Sequence, residues 1–155
     1  MSIRTAEVTD VNAITSIAKA AYALYVPRMG STPAPMVADF TSQVRAGQVI
    51  VFEQAGRVVG FCVNYPRGDH VHLENVAVDP AVQGQGIGGK LITAVENHAR
   101  SLNKSAVELY TNIHMTENQQ LYPALGYVET ARSTEDGFER VFYRKTFSAT
   151  SISRE

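Results

Sequence analysis

Apolar residues return at helical spacing near the start of the chain. After a strand-like opening, Ile14, Ile17, Ala18, Ala21, Leu24 and Tyr25 mark one face of a helix that Asp10 is placed to cap. Pro27, Gly30, Pro33 and Pro35 interrupt the pattern, and Met36, Val37, Phe40 and Val44 resume it as far as Gly47, which predicts helix, irregular loop, helix. Residues 48–54 and 58–65, rich in Val, Ile and Phe, flank Ala55-Gly56-Arg57 as the arms of an antiparallel hairpin, and a third long strand is expected over 70–79. Ile87, Leu91, Ile92, Val95, Ala99 and Leu102 form one face of a long helix, followed by a strand over 106–110. Thr116-Glu117-Asn118-Gln119 fits a capping box that opens a short helix through Leu121, Tyr122 and Leu125, stopped by Gly126. Strands over 127–132 and 138–147 are then joined by a turn containing Asp136-Gly137. The strand-helix-strand unit over 70–110 makes its two strands parallel in an otherwise mostly antiparallel sheet. The fold class expected is thus α/β, of the α+β kind, with a central parallel pair and about four helices. Residues 1–147 are expected to form a single domain and 148–155 a flexible tail.

Composition narrows the function. The chain has 155 residues, 14 Lys plus Arg against 15 Asp plus Glu, and 45% apolar residues, so it can bury a core without staples. A formal charge of −1 supplies no basic field for a nucleic-acid backbone. Cys62 is the sole cysteine, which leaves no internal disulfide, and no charged-then-apolar leader opens the chain, so a reducing cytoplasm is the expected compartment. No apolar run approaches the ~18 residues of a membrane span.

The chemistry concentrates in Gln83-Gly84-Gln85-Gly86-Ile87-Gly88-Gly89, between a strand and a helix. Small residues there let backbone N–H groups approach a ligand, and the helix dipole favours negative charge, so phosphate is the expected guest. Two patterns overlap. Gly84, Gly86 and Gly89 spell G-x-G-x-x-G, whereas Gln83, Gly86 and Gly88 spell Q-x-x-G-x-G. A dinucleotide fold wants its glycines directly after the first strand and an acidic residue at the end of the next one. Here Asp79-Pro80-Ala81-Val82 intervenes, and the next strand ends Tyr110-Thr111-Asn112 with Glu108 inside it.

Val76-Ala77-Val78-Asp79-Pro80 followed by Gln83-Gly84-Gln85-Gly86-Ile87-Gly88 resembles the acetyl-CoA-binding motif of the GNAT acyltransferase superfamily. Leu121-Tyr122-Pro123-Ala124-Leu125-Gly126-Tyr127 is similar to that superfamily's later Tyr-containing helix and Gly-aromatic strand start. The resemblance covers most of the chain and implies a GNAT fold, acetyl-CoA as cofactor, and transfer of an acetyl group to a primary amine of a small molecule, amino acid or peptide within a ternary complex. It implies that strand backbone at Val76, Ala77 and Val78 bonds the pantetheine arm, and that amides of Gly84, Gln85, Gly86, Ile87, Gly88 and Gly89, beside Gln83, hold the pyrophosphate. Members often carry an Asn seven residues before the helix Tyr; here that place is Met115, and Asn118, one turn before Tyr122, is the nearest pantetheine contact. Members often pair as dimers. A non-catalytic acyl-CoA-binding or regulatory module is the alternative reading.

The resemblance sets the thioester near 74–76, and strand alternation sends His70, His72, Glu74, Val76 and Val78 to one face. An alkylamine of pKa near 10.4 is only about one part in 2,500 neutral at pH 7, so a base helps greatly. Glu74, directly or through water, is the first candidate base and His72 the second. The resemblance gives Tyr122 the departing thiolate; a phenol near pKa 10 facing a thiol near 8.5 stabilises sulfur by hydrogen bonding more readily than by full transfer. The resemblance implies that the first two helices, their loop and the last hairpin wall the acceptor side, here with Tyr22, Tyr25, Arg28, Met29, Pro33, Met36, Phe138 and Phe142, and Arg28 is available to a substrate carboxylate. No metal is required. An H-x-H-x-E arrangement at 70–74 would hold its groups ~6.5–7 Å apart along the strand, with no Cys or further His cluster to complete it.

Overall fold

In the computed structural model, residues 2–30, 32–135 and 137–147 are described. The 148–155 segment and Asp136 of the last turn lie outside them, so the expected tail does too. Contacts among the described residues gather into two compact units, one within 2–64 and 74–94 and the other within 65–73 and 95–147.

The first unit opens with β1 (Ser2–Thr5), α1 (Val11–Tyr22), α2 (Tyr25–Met29) and α3 (Phe40–Arg45). The helix expected to run through Leu24 and Tyr25 instead ends at Tyr22 and restarts, which brings the helices among the described residues to five rather than about four. Pro27 accounts for the break. It has no N–H to give the carbonyl of Ala23, and its ring would collide with that carbonyl in a continuous helix. Asp10 precedes α1 but its carboxylate makes no cap bond. Arg4 takes both its oxygens, at 2.8 and 3.0 Å, and the Glu7 N–H donates to it at 2.7 Å. The guanidinium holds the Asp10 carboxyl below the usual carboxylate range.

β2 (Val49–Gln54) and β3 (Arg57–Arg67) form the expected antiparallel hairpin, turned at Ala55 and Gly56, both at positive φ. β4 (His70–Val78) follows, and its 74–78 half belongs to this unit with the start of α4 (Ile87–Ser101). Ile87, Leu91 and Ile92 are buried on one face of α4. Gly60 of β3 makes that packing possible: a Cβ there would stand 3.2 Å from Ile87 Cγ2, 3.3 Å from the Ala77 carbonyl and 3.3 Å from Leu91 Cδ1.

The second unit holds the 70–73 half of β4, then β5 (Ala106–Asn112), α5 (Thr116–Ala124), β6 (Val128–Glu135) and β7 (Phe138–Thr146), in the strand order β4-β5-β7-β6. The β4-β5 ladder is parallel, from His70↔Ala106 to Leu73↔Leu109, while β5-β7 and β6-β7 are antiparallel. The capping box expected at Thr116 does not form. The helix starts one residue earlier, with the Asn118 N–H on the Met115 carbonyl at 3.1 Å and the Thr116 hydroxyl donating to Glu117 at 3.3 Å. Gly126, at φ 95, ends α5 as expected. Beneath it Glu96 is buried, and it accepts from the Tyr127 hydroxyl at 2.9 Å and from Lys145 at 3.2 Å. No helix among the described residues is long and apolar enough to cross a membrane.

Candidate functional site

The first unit carries the glycine turn. Asp79 ends β4, its N–H on the Val59 carbonyl at 2.8 Å, and its carboxylate accepts from the Ala81 N–H at 2.9 Å, which starts the short 3-10 turn Pro80–Val82. Gly84 and Gly86 follow at φ 87 and 77, a backbone region that costs a side-chain-bearing residue about 1 kcal/mol or more. A Cβ at Gly84, Gly86 or Gly89 would meet nothing within 4 Å. The first backward bond of α4 runs from the Lys90 N–H to the Gly86 carbonyl at 3.1 Å. The amides ahead of it therefore have no partner inside the helix and stand at its positive end. Exposed backbone, open space and unpaired donors together fit a diphosphate. Lys90 lies 5.8 Å from the Phe52 ring on the same stretch, and the Gln54 amide holds the Gln85 side-chain oxygen at 3.0 Å.

Upstream of the turn, two contacts from the helices fix the 74–78 half of β4. The buried Tyr22 hydroxyl of α1 donates to the Val76 carbonyl at 3.0 Å. The Gln43 amide of α3 donates to the half-buried Glu74 carboxylate at 2.7 Å, and the Gln43 oxygen is buried without a hydrogen-bond partner. A carboxylate can only accept, so this bond also fixes which end of the carboxamide faces Glu74. Tyr25 and Arg28 sit together on α2, the Arg28 guanidinium 5.4 Å from the Tyr25 ring, which is itself buried. Cys62 is fully buried and its thiol is pushed up to about 12 by desolvation, so no thiolate is available for an acyl-cysteine route.

The second unit holds the other half of β4. His72 is only 6% exposed, between the rings of Tyr65 at 5.4 Å and Tyr110 at 5.7 Å. Desolvation first, then the charges of Arg67 and His70, lower its pKa to about 4 against a small opposing effect of Glu108. The imidazole is neutral at pH 7 and is a far weaker base than an ordinary histidine. Tyr122 is buried at 7% exposure, edge-on to Tyr127 at 5.9 Å and tilted against Tyr143 at 5.8 Å. Asn118 donates to the Thr111 hydroxyl at 3.2 Å, and its amide lies 3.8 Å from the Met115 sulfur. Its side chain thus braces the β5-α5 connection. Among the described residues no group of three or more His, Cys, Asp and Glu is arranged to hold a metal ion.

A family model described as an acetyltransferase (GNAT) domain matches residues 45–129, more than half of the chain. The chain belongs to the GNAT acetyltransferase family. The matched span runs from the end of α3 through the glycine turn and α5 to the start of β6. The chain is similar to the mycothiol acetyltransferase of Rhodococcus jostii, 47% identical over 47 residues, which are 30% of this chain and 15% of that protein. It is similar to the [ribosomal protein bS18]-alanine N-acetyltransferase of Haemophilus ducreyi, 32% identical over 76 residues, 49% of this chain and 52% of the relative. The chain therefore spans about half the length of the second relative and much less of the first. In fold it is similar to the crystal structure of PaiA N-acetyltransferase from Thermoplasma acidophilum in complex with coenzyme A. The TM-score is 0.79 at 13% identity, over 94% of this chain and 98% of that one.

Within this GNAT chain, the structure groups Glu74, Val76, Ala77 and Val78 with the 83–89 turn in the first unit, and His72, Asn118 and Tyr122 in the second. Gln43 was not singled out from sequence. The signal was present, because Phe40, Gln43 and Val44 fall at i, i+3 and i+4, so an amide occupies a position on the buried stripe of α3. Arg67, which faces His72 electrostatically, had no such signal; it stands in a Pro-Arg-Gly corner typical of exposed turns.

Proposed function

We propose that the protein is an acetyl-CoA-dependent N-acetyltransferase acting on a primary amine of a small molecule, amino acid or peptide, by direct attack with donor and acceptor bound together. The observation that carries this reading is the glycine turn. Its two left-handed glycines and the unpaired first-turn amides of α4 suit a diphosphate, on a chain that belongs to the GNAT family. The cofactor, when bound, supplies the acetyl group as an activated thioester.

The chain's own residues do the rest. Amides over 84–89 hold the diphosphate, and backbone at Val76 and Val78 bonds the arm that carries the sulfur. Tyr22 keeps the Val76 carbonyl in place. Glu74, held by Gln43, accepts the proton of the acceptor nitrogen, directly or through water. His72 shapes the same face of β4 as neutral packing. The Tyr122 hydroxyl donates to the departing sulfur. Among the relatives, the bS18-alanine enzyme bears in its name an alanine nitrogen as acceptor. An α-amino group of pKa near 7.7–8.0 is about 10–15% neutral at pH 7 and asks less of a base than a lysine-like amine.

Calorimetry with coenzyme A and acetyl-CoA, followed by thiol release with a panel of amines, tests the reading. Binding of both, with free thiol appearing only when amine is present, is expected. No heat with either ligand overturns the donor site, and binding without thiol release across the panel makes the chain an acyl-CoA-binding module.

A further inference from the structure

A cavity of about 270 Å³ in the second unit is left unexplained by the glycine turn, and its wall chemistry selects a ligand. His72 and Glu108 are register partners, as are Tyr110 and Phe142, so side chains of β4, β5 and β7 share the face that forms its floor. Tyr110 and Phe142 supply an aromatic surface, their rings 5.5 Å apart.

The described carboxylates around it, those of Glu108, Asp69 and Glu135, are already matched. Glu108 is bound by Arg144 and lies 3.3 Å from His70, while Asp69 pairs with His70 at 3.0 Å and Arg144 at 3.1 Å. Glu135 pairs with Arg140 at 2.6 Å, and that guanidinium lies 4.5 Å from the Tyr110 ring. Arg67 is different. It lines the cavity, is exposed, and makes no hydrogen bond or ion pair among the described residues. An aromatic surface and a guanidinium with no partner among the described residues line one cavity, which calls for an apolar body ending in an anion, because arginine presents paired donors to a carboxylate.

We propose that this cavity binds a small organic carboxylate, its charged end on Arg67 and its apolar body against Tyr110 and Phe142. The carboxylate comes either from the acceptor itself or from a separate small acid; the first source rests on the acetyl-transfer reading above, the binding does not.

Phenylacetate and its uncharged counterpart phenylacetamide, titrated into the full chain by calorimetry, are the probes. Phenylacetate is expected to bind about tenfold or more tighter than the amide, as befits a charge-assisted pair. Arg67→Gln removes that preference, and Phe142→Ala weakens both probes. Because Arg67 is exposed and unpaired among the described residues, thermal unfolding of Arg67→Gln should match the parent, which keeps folding out of the comparison. Equal affinity for the two probes, or an Arg67→Gln variant that still prefers phenylacetate, overturns the proposal. With acetyl-CoA present, phenylalanine and phenylalaninamide separate the sources. An acceptor carboxylate predicts that Arg67→Gln raises KM about tenfold for phenylalanine alone. A separate acid predicts unchanged KM for both amines while phenylacetate binding still falls. If neither amine is acetylated, the probe titrations decide the binding proposal by themselves, and the acetyl-transfer reading is judged by its own assay.

Discussion

Two residues apart on one face of β4, His72 and Glu74 meet opposite surroundings. His72 is sealed between two tyrosine rings and loses its basicity to desolvation. Glu74 is half-buried and gripped through a hydrogen bond by an amide thirty-one positions earlier in the chain. Strand alternation assigns both to one face and is silent about what that face meets. The lesson is that a row of proton-handling side chains on a strand divides its labour according to the distant residues packed over each position.

The comparison breaks most visibly if the base is misassigned. Glu74→Gln is expected to lower kcat/KM by about 10²–10⁴-fold for an alkylamine, and by less for an α-amine, which is already partly neutral. Steady-state rates with both acceptor types check this, and equal rates for variant and parent would move the base elsewhere.

The next effect belongs to His72 and is read in stability. Its pKa is about 4 in the folded chain against about 6.5 unfolded. Between those values the unfolded chain binds more protons, so stability rises with pH across the window and is lost as pH falls from about 6.5 toward 4. The span corresponds to roughly 3 kcal/mol as an order of magnitude. Urea unfolding at several pH values should show this gradient in the parent and its loss in His72→Phe, whereas the pH profile of turnover should be the same in both. A turnover profile that shifts with the substitution would restore His72 as a base.

Smallest is the contribution of Tyr22. Tyr22→Phe removes one hydroxyl from the Val76 carbonyl, which should cost about 0.5–1.5 kcal/mol of stability and lower turnover about threefold to tenfold. Denaturant melts and rates under saturating donor measure the two separately. A stability loss with unaltered turnover would mean that the bond holds the helix to the strand and does nothing for the site.

What sequence alone disclosed follows the range of the forces involved. The glycine turn was legible because its signals are local: Pro80 closes β4, positive φ demands Gly84 and Gly86, and the apolar face of α4 starts at once with Ile87. The parallel pair was legible from the strand-helix-strand order alone. Where a side chain had a choice of partners, local pattern failed. Asp10 looked like a helix cap and was claimed by Arg4; Thr116 looked like a cap and was forestalled by the Met115 carbonyl. Pro27 was visible as a breaker, yet apolar spacing carried the expected helix through Leu24 and Tyr25, past its end at Tyr22. Spacing places Gln43 on the buried stripe of α3, but its choice of Glu74 as partner, like the lack of a partner for Arg67 among the described residues, arises from tertiary neighbours.

Gly60 ties the start of α4, which carries the proposed donor site, to a position with no chemistry of its own. With Ile87, Leu91 and the Ala77 carbonyl all 3.2–3.3 Å from where its side chain would grow, even a methyl group requires these neighbours, two of them in the first turns of α4, to give way by a few tenths of an ångström. An engineer swapping strand glycines for alanine to toughen this scaffold would thus disturb the very helix start on which the proposed coenzyme site depends, from a strand residue packed against it.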